Sequence, residues 1–383
     1  MGYRIGIDVG GTFTDFVAVN TDQQMYSGKT PTIATDESAS FFGGLEQIAA
    51  HFDVSLQTLL AETDPIVLGT TVVTNTMLEF AGANTGLITT KGFRDVIELR
   101  RGYKESLFDI RLPPPHPIVQ RGQRLGVTER IDASGQIVTP LDEQEVYHAV
   151  DRLRGVGTEA IAVCFLFSFV NPIHERRVRD IIREVDPDLF VTLSSDVLPQ
   201  VREYERVSTT VVNAYTSPKL RAYLEQLSAR LGAQGFRGGL FLMQSNGGMM
   251  DIGFACEHGV EAVLSGPSGG VVAATFLGGQ SGYKNIISAD MGGTSYDVCL
   301  IKDSVPEVGV DNWISRYRVA VPLIDIHTIG AGGGSIAWLD DAGALRVGPR
   351  SAGAHPGPAC YGRGGTEPTV TDADIVLGYI DTG

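Results

Sequence analysis

The sequence predicts an α/β fold organised around two copies of one unit, a strand, a glycine turn and a second strand. Three observations predict it. Strand and helix patterns alternate along the 383 residues, as they do in layered α/β folds. An apolar run, an Asp, Gly-Gly-Thr and a second Asp occur at Ile5 to Asp15 and again within Ile287 to Ile301, each followed by another apolar run. Directly ahead of the second copy, Ser265 to Gly270 opens a run of small residues, Val271-Val272-Ala273-Ala274, that reads as a closely packed helix entering at Pro267.

The first copy follows from residue type. Arg4 to Ile7 and Phe16 to Val19 are short apolar runs, and Gly10-Gly11 between them supplies the positive torsions of a tight turn. Glycines also bare their amide N–H groups to a phosphate, and the Thr12 and Thr14 hydroxyls add donors. Asp8 ends the first strand, where a carboxylate can hold magnesium through water, since that ion keeps much of its hydration shell. A single hairpin of this kind is equally well a turn with a capping Asp. In the second copy Asp290 leads into Gly292, Gly293 and Thr294, and Asp297 stands at the same seven-residue offset from Asp290 as Asp15 from Asp8. Two such hairpins can close on one nucleotide from opposite sides.

The remaining elements follow in order. Met25 to Pro31 reads as a third strand; its Ser27-Gly28-Lys29-Thr30 imitates the end of a P-loop, but Gln23 stands where the first glycine belongs. A helix is expected over Asp36 to Phe52, capped by Asp36 or Thr35, then a strand over Pro65 to Thr70 whose polar end, with Thr71 and Asn75, either faces a ligand or caps the next helix. A strand at Gly86 to Thr90 and a helix from Phe93 to Leu99 precede a long proline-rich connection, Gly102 to Val119. Arg94, Arg100 and Arg101 suit either an anionic substrate or surface ion pairs. An inserted subdomain follows: a hairpin of Leu125 to Ile131 with Gln136 to Val138, a helix Leu141 to Arg154, a strand Ala160 to Phe169, a helix to Val185 and a strand Leu189 to Ser194. His148 and His174 lack metal-ligand spacing.

Two helices, Val201 to Ala214 and Pro218 to Leu231, lead to a buried strand Leu240 to Gln244 with a polar, glycine-rich end at Ser245-Asn246-Gly247-Gly248. Gly266-Pro267-Ser268-Gly269-Gly270 also satisfies the nucleophile-elbow pattern, with Val260 to Leu264 as its strand, but a serine hydrolase leaves the paired hairpins unexplained. After the second hairpin, Val305 to Val308 and Tyr317 to Ile326 read as strands. Gly330 to Ser335 is a glycine loop, Asp340 to Gly343 a hairpin turn, and Asp372 to Ile380 the start of a helix.

Net charge of −15 argues against nucleic-acid and anionic-membrane partners. No signal peptide precedes the first strand and no apolar run is long enough to span a bilayer. Cys164, Cys256, Cys299 and Cys360 are scattered, which favours a reducing, cytoplasmic setting over a disulfide framework.

Hairpin, small-residue helix, second hairpin is an order that resembles the actin, Hsp70 and sugar-kinase ATPases. Asp8 to Asp15, Leu68 to Asn75, Thr89 to Asp95, Gln244 to Gly248, Asp290 to Val298 and Gly353 to Gly362 together resemble the hydantoinase A and 5-oxoprolinase family, which includes subunits of ATP-dependent carboxylases. The resemblance implies two RNase H-like lobes: a first built from residues 1–100 and 195–282, an insert at 101–194, and a partial second at 283–383. The family's Gly-Gly loop and helix over the adenine have no counterpart after Asp290, so the second lobe is expected to be incomplete.

The implied activity is ATP-dependent phosphorylation of the carbonyl of a cyclic amide such as a hydantoin or 5-oxoproline. The alternatives are a carboxylase subunit of the same family or a non-catalytic ATPase switch that remodels a partner. Asp8 and Asp290 would organise Mg2+ and water. Gly10, Gly11, Thr12, Thr14, Gly292, Gly293, Thr294, Gly332 and Gly333 would bind ATP, and Thr71, Asn75, Asn246 and Arg94 are the substrate candidates. Hydrolysis generally needs a second subunit in this family, so a hydantoinase B-type partner in a homo- or hetero-oligomer is implied.

Overall fold

A computed structural model describes residues 2–33, 37–353 and 355–381. β1 (Tyr3–Val9) and β2 (Phe13–Asn20) pair antiparallel with Asp8 opposite Asp15, and β3 (Met25–Pro31) extends the sheet beyond β2. The Ser27 to Thr30 stretch is therefore ordinary strand. α1 (Glu37–His51) packs on this sheet; its expected caps, Thr35 and Asp36, lie outside the described residues. The short α2 (Leu56–Ala61), which the sequence reading did not anticipate, starts at Ser55, whose side chain accepts from the Thr58 N–H. β4 (Thr63–Thr70) then runs parallel to β1 on its free side and turns into α3 (Val72–Leu78).

β5 (Thr85–Thr90) leaves this sheet. After α4 (Val96–Leu99) come β6 (Arg124–Val127), β7 (Arg130–Ile131), β8 (Ile137–Thr139), α5 (Glu143–Arg154), β9 (Ala160–Cys164), α6 (Ile173–Val185) and β10 (Phe190–Leu193). β10, β9, β5 and β6 form a parallel sheet in that order. Two expectations change here. The long hairpin is split: Leu125 to Val127 pairs with Ile88 to Thr90, and only Arg130–Ile131 folds against Ile137–Thr139. The boundary drawn at residue 101 also cuts through this sheet, because β5 is buried along its whole length between β6 and β9, as a central parallel strand is. Nothing in a six-residue run of sequence Thr-Gly-Leu-Ile-Thr-Thr says which sheet it joins.

α7 (Ser194–Val197) precedes α8 (Glu203–Ala233), a single 31-residue helix where two were expected. Pro218 sits inside it. An interior proline costs a helix about 3 kcal/mol, but every residue from Tyr204 to Ser217 is buried, and that packing holds the helix through the break. β11 (Leu240–Met243) and β12 (Met249–Asp251) complete the first sheet in the order β12-β11-β4-β1-β2-β3. α9 (Ile252–Glu257) follows. Val260 to Leu264, expected to be strand, instead begins in a 3-10 turn, Gly259–Ala262, and ends at Leu264, whose φ is 58°. α10 (Ser265–Gln280) starts there, with Pro267 in its first turn.

β13 (Ile286–Met291) and β14 (Tyr296–Lys302) form the second hairpin, with Asp290 opposite Asp297. β15 (Val305–Pro306), β16 (Val308–Gly309), β17 (Asn312–Ile314), β18 (Tyr317–Val319), β19 (Leu323–Ile324) and β20 (Ile326–Ile329) are short, so the long strand expected at Tyr317 to Ile326 is broken. β20 and β15 both pair with β14. β17 and β18 turn at Ser315-Arg316, both at positive φ, as a two-residue hairpin loop demands. β21 (Ser335–Leu339) and β22 (Leu345–Ser351) pair around Asp340 to Gly343, and α11 (Val370–Val376) opens on a Thr369 and Asp372 capping box. The largest core cluster joins the first sheet to α1, α3 and α8; behind the second hairpin only Val271, Cys299, Ile301 and Ile324 form a buried cluster.

Candidate functional site

The two hairpins have the same turn. The Gly10 N–H donates to the Phe13 carbonyl at 3.0 Å, and the Gly292 N–H to the Ser295 carbonyl at 2.9 Å. Their tips meet: a Cβ placed on Gly293 would lie 3.6 Å from Thr12 Oγ1. Around them lies a cleft of about 760 Å³ whose walls include Asp8, Gly10, Gly11 and Thr12 from the first hairpin and Asp290, Gly292, Gly293 and Thr294 from the second. Bare backbone amides facing a cavity from two sides suit an anion.

Asp8 is set in a glycine cradle. Gly69 is its neighbour on β4 and Gly266 lies in the first turn of α10; a Cβ on either would sit 2.6 Å or 2.8 Å from Asp8 Oδ1. Ser265 fixes that cradle, its hydroxyl donating to the Thr70 carbonyl at 2.9 Å and accepting the Thr70 N–H at 3.3 Å. Water reaches the Asp8 carboxylate along the cleft, yet the walls displace most solvent around it. That partial burial, with the charges of Asp15 and Asp290 adding to it, pushes the Asp8 pKa up to about 6. Asp297 is raised by burial as well, opposed by the Thr328 hydroxyl, which donates to its Oδ1 at 2.6 Å, while Asp290 adds to the rise.

Several sequence candidates lie elsewhere. Thr14 is fully buried, its hydroxyl 3.0 Å from that of Thr32, which in turn donates to the Gly10 carbonyl at 2.8 Å. It holds the turn together and offers nothing to the cleft. Gly332 and Gly333 stand behind the second hairpin: the Gly333 N–H donates to the Gly292 carbonyl at 2.9 Å, and a Cβ on Gly332 would lie within 2.7 Å of Gly292 O, Thr294 N and Ser295 N. They brace the turn from outside. Asn246 spends its Oδ1 on the Gly248 N–H at 2.8 Å. Arg94 lies 3.7 Å from Asp95, and Arg100 and Arg101 pair with Glu105 and Glu205, so the ion-pair reading holds for all three.

Thr71 and Asn75 do line the cleft, the Asn75 Nδ2 donating to Thr71 Oγ1 at 3.1 Å. Sequence reasoning missed the wall opposite them, Asn312 to Ser315, and Asp325. The one available signal was Trp313, one of only two tryptophans in the chain.

The serine-hydrolase reading fails on geometry. No strand leads into Ser268, which is buried and donates to the Ser245 and Leu264 carbonyls. His174 is buried against Glu129 at 2.8 Å. Among the described residues no three His, Cys, Asp or Glu side chains converge as a metal cage. Asp8 and Asp290, two carboxylates on one open cleft, fit a magnesium ion that keeps most of its water. No helix among the described residues is long and apolar enough to cross a membrane.

Fold and motifs together define a class, and comparison gives it a name. Residues 4–186 match the hydantoinase/oxoprolinase N-terminal region and residues 206–383 match hydantoinase/oxoprolinase. The chain belongs to the hydantoinase/oxoprolinase family. It is 43% identical over 383 residues to the caprolactamase subunit alpha of Pseudomonas jessenii, covering 100% of this chain and 55% of that one. The crystal structure of that ATP-dependent caprolactamase superposes with a TM-score of 0.87 over 99% of this chain and 55% of its own, at 42% identity. A nucleotide-free acetone carboxylase structure gives 0.85 at 32% identity over the same shares. The 5-oxoprolinase of Saccharomyces cerevisiae is 32% identical over 414 residues, 98% of this chain and 32% of the yeast protein. The chain thus spans about half, or less, of the length of these relatives.

Proposed function

We propose that this chain is the ATP-using part of a cyclic amide hydrolase, and that it phosphorylates the carbonyl oxygen of a lactam. The observation that carries this is the pair of matched glycine hairpins meeting tip to tip over Asp8 and Asp290. In this reading the two hairpins belong to two actin-like lobes that close on ATP, the first built on the β12-β11-β4-β1-β2-β3 sheet with the β10-β9-β5-β6 sheet attached to it, and residues 283–383 contributing to the second. The amides of Gly11 and Gly293 and the hydroxyls of Thr12 and Thr294 hold the phosphates, supplying preorganised donors where charge develops, while Gly10 and Gly292 spend their own N–H groups on the Phe13 and Ser295 carbonyls and shape the turns. Magnesium, held through water by Asp8 and Asp290, would neutralise phosphate charge there.

The lactam carbonyl oxygen attacks the γ-phosphorus. The new O–P bond forms as the bond to the β-phosphate oxygen breaks, and ADP leaves with that electron pair. The nitrogen lone pair makes the carbonyl oxygen nucleophilic, the N–H proton passes to solvent water as the C=N bond forms, and the resulting phosphorylated imidate is a far better electrophile for water than the amide was. Water attack on that imidate is assigned in this reading to a second, B-type subunit. Four unpaired cysteines suit a reducing cytoplasm for the assembly.

The likeness to the acetone carboxylase structure favours one second reading, in which the phosphoryl acceptor belongs to a carboxylation. Calorimetric titration of Mg-ATP with Asp290→Ala as control tests the shared step. Saturable binding lost in the variant is expected; equal binding by both proteins would sink the site. Lactam-stimulated against ketone-stimulated ATP turnover separates the two readings.

A further inference from the structure

We infer that the acceptor lies between α3 and the β17–β18 hairpin, and that this site takes an uncharged ring and rejects one carrying a carboxylate. The inference rests on the reading above, in which ATP phosphates occupy the hairpin tips. With those tips filled, the remaining cleft wall includes Thr71, Thr74, Asn75 and Leu78 on one side and Asn312 to Ser315 on the other. Ser315 Oγ donates to the Met77 carbonyl at 3.1 Å, which fastens the hairpin to the end of α3 and fixes the width between the two sides.

The wall suits a neutral amide. Leu78, Trp313 and Ile314 offer apolar surface to ring methylenes, and the Asn75 side chain offers an amide's complementary donor and acceptor. The Trp313 ring is held in place from behind, stacked on Tyr103 with centroids 4.3 Å apart.

Charge then sets the selectivity. The cleft wall carries Asp8, Asp15, Asp290, Asp297 and Asp325, and Lys29 is the one cation in it among the described residues. Lys29 is already paired with Asp15 at 3.1 Å. Arg100 and Arg318 each lie over the Trp313 ring at 5.3 Å, Arg100 buried and committed to Glu105 and Arg318 paired with Asp311, and Arg316 at the hairpin turn makes two bonds to Glu105, at 2.8 Å and 3.0 Å. A ring carboxylate would enter beside aspartates and ATP phosphates with no counter-ion, whereas a plain lactam brings only groups the wall can satisfy.

Three rings of one skeleton test this: 2-pyrrolidinone, 5-oxoproline, which adds a carboxylate to it, and 5-oxoprolinamide, which restores the bulk without the charge. ATP turnover is measured on the intact protein with the subunits that purify with it. The neutral rings are expected to exceed 5-oxoproline in kcat/KM by about tenfold or more, with the amide tracking pyrrolidinone. Equal or better use of 5-oxoproline, or no stimulation by either neutral ring, overturns the inference.

Trp313→Ala and Asn75→Ala are expected to raise the KM for the neutral ring about tenfold while the KM for ATP stays within about threefold. Variants that move both constants together, or neither, place the acceptor elsewhere. Failure of the underlying reading would show separately, as Mg-ATP binding indifferent to Asp290→Ala.

Discussion

The two glycine hairpins carry the same motif in unequal surroundings. β1 has a partner on each side, β4 in parallel and β2 in antiparallel register, and its alternate residues Tyr3, Ile5, Ile7 and Val9 are buried in the main core. β13 pairs only with β14; Ile287 is 71% exposed and Met291 51%. The first turn is held from within its own sheet by Thr14 and Thr32, the second from outside by the glycine loop at Gly332 to Gly334. A shared motif therefore fixes what the turn offers a ligand, while the flanking strands decide how firmly it is offered.

The largest effect should fall where the hairpins are alike. Asp8→Asn and Asp290→Asn are each expected to lower ATP turnover by about a hundredfold or more, measured in the intact assembly. A loss from only one of them would break the equivalence.

The glycine supports should then separate the two. Gly69→Ala puts a methyl against Asp8 Oδ1 and should abolish Mg-ATP binding while the fold survives, because the carboxylate can swing aside into the cleft. Gly332→Ala meets three backbone atoms that cannot, and should cost about 1–3 kcal/mol in denaturant unfolding as well as binding. Equal stability losses in the two variants would contradict this contrast.

A pH series sharpens it further. The folded-state pKa of Asp8 lies above the ordinary value of 3.8, so the empty protein is penalised for ionising it, and the stability this group allows at low pH is lost as pH rises through about 6. Asp8→Asn should accordingly match wild type in Tm at about pH 4 and exceed it at about pH 7 to 8. An unchanged Tm difference across that range would remove the burial argument.

Hydrogen exchange should rank the two strands directly, with amides of Ile5 to Val9 protected close to the global limit and those of Ile286 to Met291 opening sooner. The smallest effect is expected at Thr14. Thr14→Val should cost about 1 kcal/mol of stability through its lost hydroxyl contact and leave ATP affinity within about twofold; a large affinity loss would return this residue to the cleft.

What was legible in the sequence follows from how local its cause is. The hairpins were legible because a tight turn between two apolar strands shows its glycines and terminal Asp within a few residues, and β3 and the small-residue helix were legible because their cues are equally local. The continuity of α8 through Pro218 was not, since it depends on burial supplied by β9, β10 and β18. The Trp313 wall was not either: it reaches Asn75 only through the fold, and its turn uses Ser315 and Arg316 where a glycine would have given it away. Thr14 and Gly332 were read as nucleotide-binding from residue type, but type alone could not say that both lie behind the turns and away from the cleft.

The cradle of Asp8 has a consequence for synthesis. Its two glycines arrive at very different times: the Thr70 to Ser265 contact that sets them in place joins residues 195 apart along the chain. A ribosome adding roughly 5–20 residues per second releases β1 to β4 many seconds before α10. Until then the nascent sheet holds Asp8 with one flank bare. A translational pause ahead of Ser265 would thus lengthen the life of a chain that already has its first sheet nucleus but only half of the cradle around Asp8.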